Sequence, residues 1–236
     1  MTHIALPLPQ RVLAVGAHPD DIEFGCGATL ARWARDGAHV ELVVLTDGSK
    51  GTWDPSTDLG ALVATRQEEQ RAAARTLGAH GVHFLGAVDG ELDAGTVMRR
   101  RVCEVVRAVR PDVVLGHDPW KQYRLHPDHR HAGQLVIDGI VAARDPQFFP
   151  DVGTPHRPSS LLLFEAQVVD HVEPVDDHAV AAKIDALLCH HSQWRSTMGI
   201  DEAGPDMDAQ RAAFVARVRG EIDAASGEPF KLLDDL

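Results

Sequence analysis

Four short runs of aliphatic and β-branched residues, Arg11–Ala17, His39–Thr46, Val82–Gly86 and Asp112–Gly116, are each followed by a longer stretch whose apolar residues recur at helical spacing. Those stretches are Gly27–Asp36, Leu62–Leu77, Thr96–Val109 and His129–Ala143. Strand followed by helix, four times over, leaves few packing solutions, because each crossover returns the chain to a parallel neighbour with a helix laid on one face. The pattern predicts an α/β chain with a mostly parallel sheet and helices on both sides. After Arg144 the character changes. Asp145–Ser159 is proline-rich and reads as a loop, Leu161–Ala166 and Val172–Val175 as two further strands, and Asp177–Gln193 and Asp208–Ala225 as a C-terminal helical extension. With neither an internal repeat nor a low-complexity linker, residues 1–236 read as one domain, a core over 1–145 and a loop, strand and helix region over 146–236.

Composition narrows the partners. The longest apolar runs fall far short of the ~20 residues a bilayer crossing needs, and Met1–Gln10 lacks a basic start and a cleavable apolar stretch. A membrane span and secretion are therefore not expected, and a cytoplasmic placement is. A net charge of −12 works against nucleic acid as a partner. Three cysteines, Cys26, Cys103 and Cys189, with no C-x-x-C, fit a reducing compartment rather than a disulfide framework.

Histidine is used heavily: 14 residues, four of them between His117 and His131. Function in open parallel sheets collects past the carboxyl ends of the strands. The first predicted strand ends in His18-Pro19-Asp20-Asp21, the second in Asp47, the third is followed by Asp89, and the fourth ends in His117-Asp118. His126-Pro127-Asp128-His129 comes next, so His-Pro-Asp occurs twice, where composition alone gives about 0.08 occurrences. Proline fits the first position of a helix, and residues three apart on a helical turn share a face. His18 with Asp21 and His126 with His129 thus each present two side chains to one point. Zinc takes such nitrogen and oxygen donors, three of them in a catalytic site with a position left open. These four candidates leave one side chain for acid–base work. Of the two adjacent carboxylates, Asp20 and Asp21, one ligates and the other faces a water as base. Hydrolysis is the chemistry expected.

Other motifs fail. Gly25-Cys26-Gly27 lacks the third glycine of a dinucleotide fingerprint and is read as allowing the first helix to pack closely; neither a P-loop nor a G-x-S-x-G elbow is present. His80, His83 and His131 read as structural, His117 and Asp118 as a polar loop pair or neighbours of the site, and His190 and His191 as helix C-terminal partners.

The sequence resembles the LmbE-like or PIG-L family of metal-dependent N-acetylglucosaminyl deacetylases. The likeness rests on Ala17–Asp21 followed by Phe24–Gly27, on Thr46–Gly48, Thr65–Glu69 and Asp89–Leu92, and on His126–His129, with a weaker echo at His190–Gln193. It implies a Rossmann-like three-layer fold. It also implies that His18, Asp21 and His129 bind a metal, usually zinc with Fe2+ as an alternative, and that Asp20 is the base. In that scheme His126 steadies the oxyanion or protonates the leaving amine, and Asp128 hydrogen-bonds His126. Arg66, Asp89, Tyr123 and Asp118 are the implied contacts to a small amino-sugar substrate. Two departures stand out: Ala28 replaces a usual glycine, and Arg124-Leu125 separate Tyr123 from the second motif. Relatives of this kind tend to be homo-oligomers. Two other readings are an amidase acting on a thiol conjugate and a non-catalytic metal-binding module.

Overall fold

The computed structural model describes residues 5–236; residues 1–4, which begin the Met1–Gln10 stretch, lie outside the described residues. Five parallel strands form the centre of the molecule: β1 (Arg11–Gly16), β2 (His39–Thr46), β3 (Gly81–Ala87), β4 (Val113–His117) and β5 (Ser160–Phe164). They pair in the order β3-β2-β1-β4-β5, with Val12 in register with both Val40 and Val113. All five residues of β4 and of β5 are buried, as expected of strands covered on both faces. Helices α1 (Asp21–Arg35) and α2 (Leu59–Leu77) lie on one face, where Trp33, Ala73 and Leu77 pack on Val12, Leu42 and Leu115. On the other face α3 (Thr96–Val109) and α4 (Pro127–Arg144) place Val102, Val106, Leu135 and Ile140 against Leu13, Val43 and Val114. Burying each such Val, Leu or Ile side chain contributes roughly 1.5–3 kcal/mol. The fold is the three-layer α/β arrangement that the strand–helix alternation predicts.

The C-terminal region departs from a purely helical extension. Past β6 (His171–Glu173) and α5 (Asp177–Leu188), the predicted helix to Gln193 breaks at Leu188 into a 3-10 turn over His191–Gln193 and a π-turn over Trp194–Met198. Helix α6 (Met207–Ala225) sets Phe214, Val218 and Ile222 against Ile184, Leu187 and Trp194. A seventh strand, β7 (Glu228–Leu233), then enters the sheet between β5 and β6, antiparallel to both. Glu228 explains part of that placement. Helix α1 is kinked at Cys26 (φ −151°), which frees the amides just beyond it. The buried Glu228 carboxylate accepts from Ala28 N at 3.1 Å and Thr29 N at 2.7 Å, and Lys183 Nζ reaches it at 2.6 Å. A carboxylate at an internal helix start is favoured by the same dipole that favours acidic caps. Gly25 is needed where it stands: a Cβ there would lie 2.4 Å from the Phe164 ring.

One cation binds much of the proline-rich stretch after α4. The buried Arg107 guanidinium donates to the carbonyls of Ala142, Ala143, Asp145, Phe148, Phe149 and Val152, capping α4 and gathering the loop that follows. Among the described residues no helix is long and apolar enough to cross a membrane. The strand order reverses at β1, whose neighbours β2 and β4 lead the chain in opposite directions, so a crevice opens at the carboxyl ends of β1 and β4.

Candidate active site

The chain leaves β1 into that crevice through a turn that fixes three side chains at once. Asp21 Oδ2 accepts from the His18 amide at 2.7 Å and so orients its carboxylate before α1 begins. His18 Nδ1 lies 3.2 Å from Asp21 Oδ2 and 3.2 Å from His129 Nε2, and His129 Nε2 lies 3.3 Å from Asp21 Oδ1. Three donors on a tetrahedral ion with bonds of about 2.0–2.1 Å stand about 3.3–3.4 Å apart. The spacing of the triad is close to that, with Asp21 facing His18 through Oδ2 and His129 through Oδ1. Other groupings of three or four donors occur around it among the described residues: His18 with His126 and His129, His18 with Asp89, His126 and Asp128, and Asp21 with His117 and His129. In the triad with Asp21 and His129, His18 presents Nδ1 and its opposite nitrogen, Nε2, is left to donate.

That nitrogen meets two carboxylates. His18 Nε2 is 3.1 Å from Asp89 Oδ1 and 3.2 Å from Asp128 Oδ2, the usual arrangement for holding a ligating imidazole in one tautomer. Asp89 in turn accepts from Lys50 N at 3.0 Å, and Asp128 from Gly90 N at 2.7 Å. Burial opposes a charge on His18, but Asp128, Asp21 and Asp89 outweigh it and hold its pKa well above the usual imidazole range. Burial pushes His129 the other way, to about 4, with His117 and Arg124 adding to the effect. A neutral imidazole is the form able to ligate a metal. His117 sits behind the triad, its Nε2 3.3 Å from Asp21 Oδ2 and its ring stacked on His129 at 4.4 Å.

Asp20 stands beside the triad and outside it. Its backbone is left-handed (φ 104°, ψ −26°), uncommon for a residue with a side chain, and its Oδ2 lies 3.7 Å from the Arg66 guanidinium. Burial raises its pKa to about 6, with Arg66 opposing and Asp21 adding. His126 caps α4, its Nδ1 accepting from Asp128 N at 3.3 Å, which leaves Nε2 to carry the proton of the neutral ring. Partial desolvation and the nearby His18 push the His126 pKa down.

The cavity in front of these groups measures about 750 Å³, with His18, Asp20, Asp21, His126 and His129 on its floor. Trp53 (87% exposed) and Tyr123 (86% exposed) lie on its rim, Tyr123 again with a left-handed backbone.

Four expectations need correction. The Asp128 carboxylate is placed on His18 and Gly90, not on His126, which receives only the Asp128 amide. Arg66 lines the cavity but is only 3% exposed, its guanidinium donating to Gly48 O at 2.9 Å and Pro19 O at 2.5 Å and lying 3.7 Å from Asp20 Oδ2, so it clamps the turn carrying Asp20 and offers little free surface to a substrate. Asp118 does not line the cavity: its oxygens accept from Trp120 N and Gln167 N and tie two loops together. Asp89 does line it, but its oxygens serve His18 and Lys50 N. Residues unmarked by any sequence signal also face the cavity. Glu165, left-handed at φ 53°, pairs with Arg124 and lies 3.3 Å from His117 Nδ1, while Arg124 Nε donates to His129 Nδ1 at 2.8 Å. The echo at His190–Gln193 has a structural content: Ser192 bonds Glu69 through both N and Oγ, Gln193 Nε2 bonds Gly51 O, and His190 is buried against Glu23.

The chain is similar to known proteins. Diacetylchitobiose deacetylase of Thermococcus kodakarensis is 34% identical over 189 residues, 78% of this chain and 70% of that one. The 1D-myo-inositol 2-acetamido-2-deoxy-alpha-D-glucopyranoside deacetylase of Streptomyces avermitilis is also 34% identical, over 62% of this chain and 58% of its own length. The solved structure of N,N'-diacetylchitobiose deacetylase from Pyrococcus horikoshii superposes with a TM-score of 0.83 at 27% identity, covering 96% of this chain and 84% of that one. The family described as PIG-L, GlcNAc-PI de-N-acetylase, matches residues 13–140, from β1 into α4 and across both His-Pro-Asp motifs. The chain belongs to the PIG-L family of deacetylases.

Proposed function

We propose that this protein hydrolyses the acetamide of an N-acetylglucosamine-type sugar, with His18, Asp21 and His129 holding a divalent ion, zinc in the first instance, and Asp20 serving as the base. The observation that carries the reading is the separation of duties between neighbours: Asp21 between two imidazoles at spacing close to that of a tetrahedral ion's ligands, and Asp20 buried outside that triad on the cavity wall, with Arg66 3.7 Å from its carboxylate. The two sugar deacetylases above support the substrate class, since each is named for an N-acetylated glucosamine unit.

When bound, the ion acidifies a water and polarises the amide carbonyl. Asp20 accepts the proton as the water oxygen bonds to the acyl carbon. A carboxylate pushed up towards 6 is well matched to that task near neutral pH. His126 donates from Nε2 to the carbonyl oxygen as negative charge develops there, a role for which its Nδ1, occupied by the Asp128 amide, leaves the right nitrogen available. The carbon–nitrogen bond then breaks, the proton held by Asp20 passes to the leaving nitrogen, and acetate and a free amine result. Asp89 and Asp128 keep His18 in the tautomer that presents Nδ1. Trp53 and Tyr123 on the rim offer flat faces to a sugar ring. The whole chain is read as one deacetylase domain.

The test is a screen for acetate release over N-acetylated sugars, N,N'-diacetylchitobiose among them, with zinc-loaded protein and with chelator. Acetate released only without chelator supports the reading. No acetate from any sugar by zinc-loaded protein contradicts it and moves the assignment to an amidase of other specificity or to a metal-binding module.

A further inference from the structure

The left-handed backbone at Asp20 needs something to hold it, and the structure provides a chain of buried side chains behind it. The Asp20 amide donates to Gln70 Oε1 at 3.0 Å. Gln70 Nε2 donates to Glu23 Oε1 at 2.6 Å. Glu23 Oε2 lies 3.6 Å from His190 Nε2, and no other partner serves either atom among the described residues. Gln70, Glu23 and His190 are all fully buried and come from three separate places: α2, the first turn of α1, and the residue before the His191–Gln193 turn. None of them lines the cavity.

The order of donors along this chain is forced. A carboxylate can only accept, so the NH2 of Gln70 must face Glu23, and its oxygen is left for the Asp20 N–H. An amide at position 70 is thus the one neutral group that serves both neighbours at once. We propose that Gln70, braced by Glu23 and His190, is a positioning residue for the reaction: it holds the Asp20 backbone in the conformation that aims the carboxylate at the attacking water. The inference rests on Asp20 being the base. It also gives the His190–Gln193 motif a purpose, since that segment docks on Glu23, Glu69 and Gly51 O, around the turns that carry Asp20 and its clamp Arg66.

Two variants test it, each loaded with Zn2+ and assayed for acetate release from N,N'-diacetylchitobiose, with the Asp20 turn read in crystal structures. Gln70→Met keeps the volume and removes both hydrogen bonds. The expected result is a 10- to 100-fold fall in kcat, KM within twofold, zinc content equal to wild type, and an Asp20 turn that leaves its left-handed conformation. The exchanged pair Q70E/E23Q rebuilds the chain with its polarity preserved, because the carboxylate now at position 70 accepts from the Asp20 amide and from the new amide at position 23. It is expected to recover kcat to within threefold of wild type and to return the turn to its original shape. The inference is overturned if Q70M keeps wild-type kcat with an unmoved Asp20, or if its activity falls only in step with lost zinc. It is equally overturned if the zinc-loaded exchanged pair stays as slow as Q70M; should Q70M fail to fold, the exchanged pair decides alone. Asp20→Asn separates this from the assignment of the base. Wild-type turnover in D20N sinks that assignment whatever Gln70 does, whereas an inactive D20N beside a wild-type Q70M sinks only the positioning role.

Discussion

Asp20 and Asp21 are adjacent carboxylates with different duties, and the backbone separates them. Asp21 starts α1 with its side chain pinned by the His18 amide; Asp20 precedes it at φ 104°, its Oδ2 3.7 Å from the Arg66 guanidinium. Asp20→Asn cannot accept a proton, so kcat is expected to fall by about 10²- to 10⁴-fold with zinc content unchanged by elemental analysis. The pH profile follows from the same residue. Asp20 works deprotonated, so turnover is lost as pH falls through its pKa of about 6, and a bound cation moves that limb lower, not higher. A limb above pH 7 in zinc-loaded wild type would contradict the assignment. His126→Ala removes a donor that matters as charge develops, so kcat is expected to drop roughly 10²- to 10³-fold with little change in KM. A change confined to KM would assign His126 to substrate binding instead.

Two elements carry predictions away from the chemistry. Helix α1 crosses β5 closely enough that Gly25 has no room for a methyl group beside Phe164. Gly25→Ala is expected to cost about 1–3 kcal/mol, seen as a thermal midpoint lowered by about 2–4 °C for each kcal/mol. An unchanged midpoint would mean that α1 can move off the sheet freely. Arg107 gathers the loop after α4, at the end of that helix opposite His126; its 18 residues span about 27 Å. Arg107→Met is therefore expected to speed proteolysis within residues 145–155 while leaving kcat within about twofold of wild type. Loss of turnover with an intact loop would contradict that division.

The whole molecule shows which parts of such a protein sequence patterns reveal. Spacing along one strand exit or one helix turn is local, so His18 with Asp21 and the start of α4 at His126-Pro127 were legible. Contacts between distant segments were not. Nothing local marks β7 as the strand between β5 and β6, the Asp128 carboxylate as a partner of His18 over that of its neighbour His126, or Glu165 as a wall of the cavity. Arg66 was marked by its motif, yet that its guanidinium is taken up by two carbonyls depends on Gly48 and Pro19 arriving in the turns that follow β2 and β1. The triad depends on the sheet as well, because β1 and β4 must be neighbours before His129 can meet His18. Metal titration of stripped protein brings these levels together, with acetate release from N,N'-diacetylchitobiose followed against equivalents of Zn2+ added. The triad predicts no acetate at zero equivalents, a linear rise to one equivalent per chain, and a break there. Acetate released at zero equivalents, or none at full loading, would contradict a single-ion deacetylase.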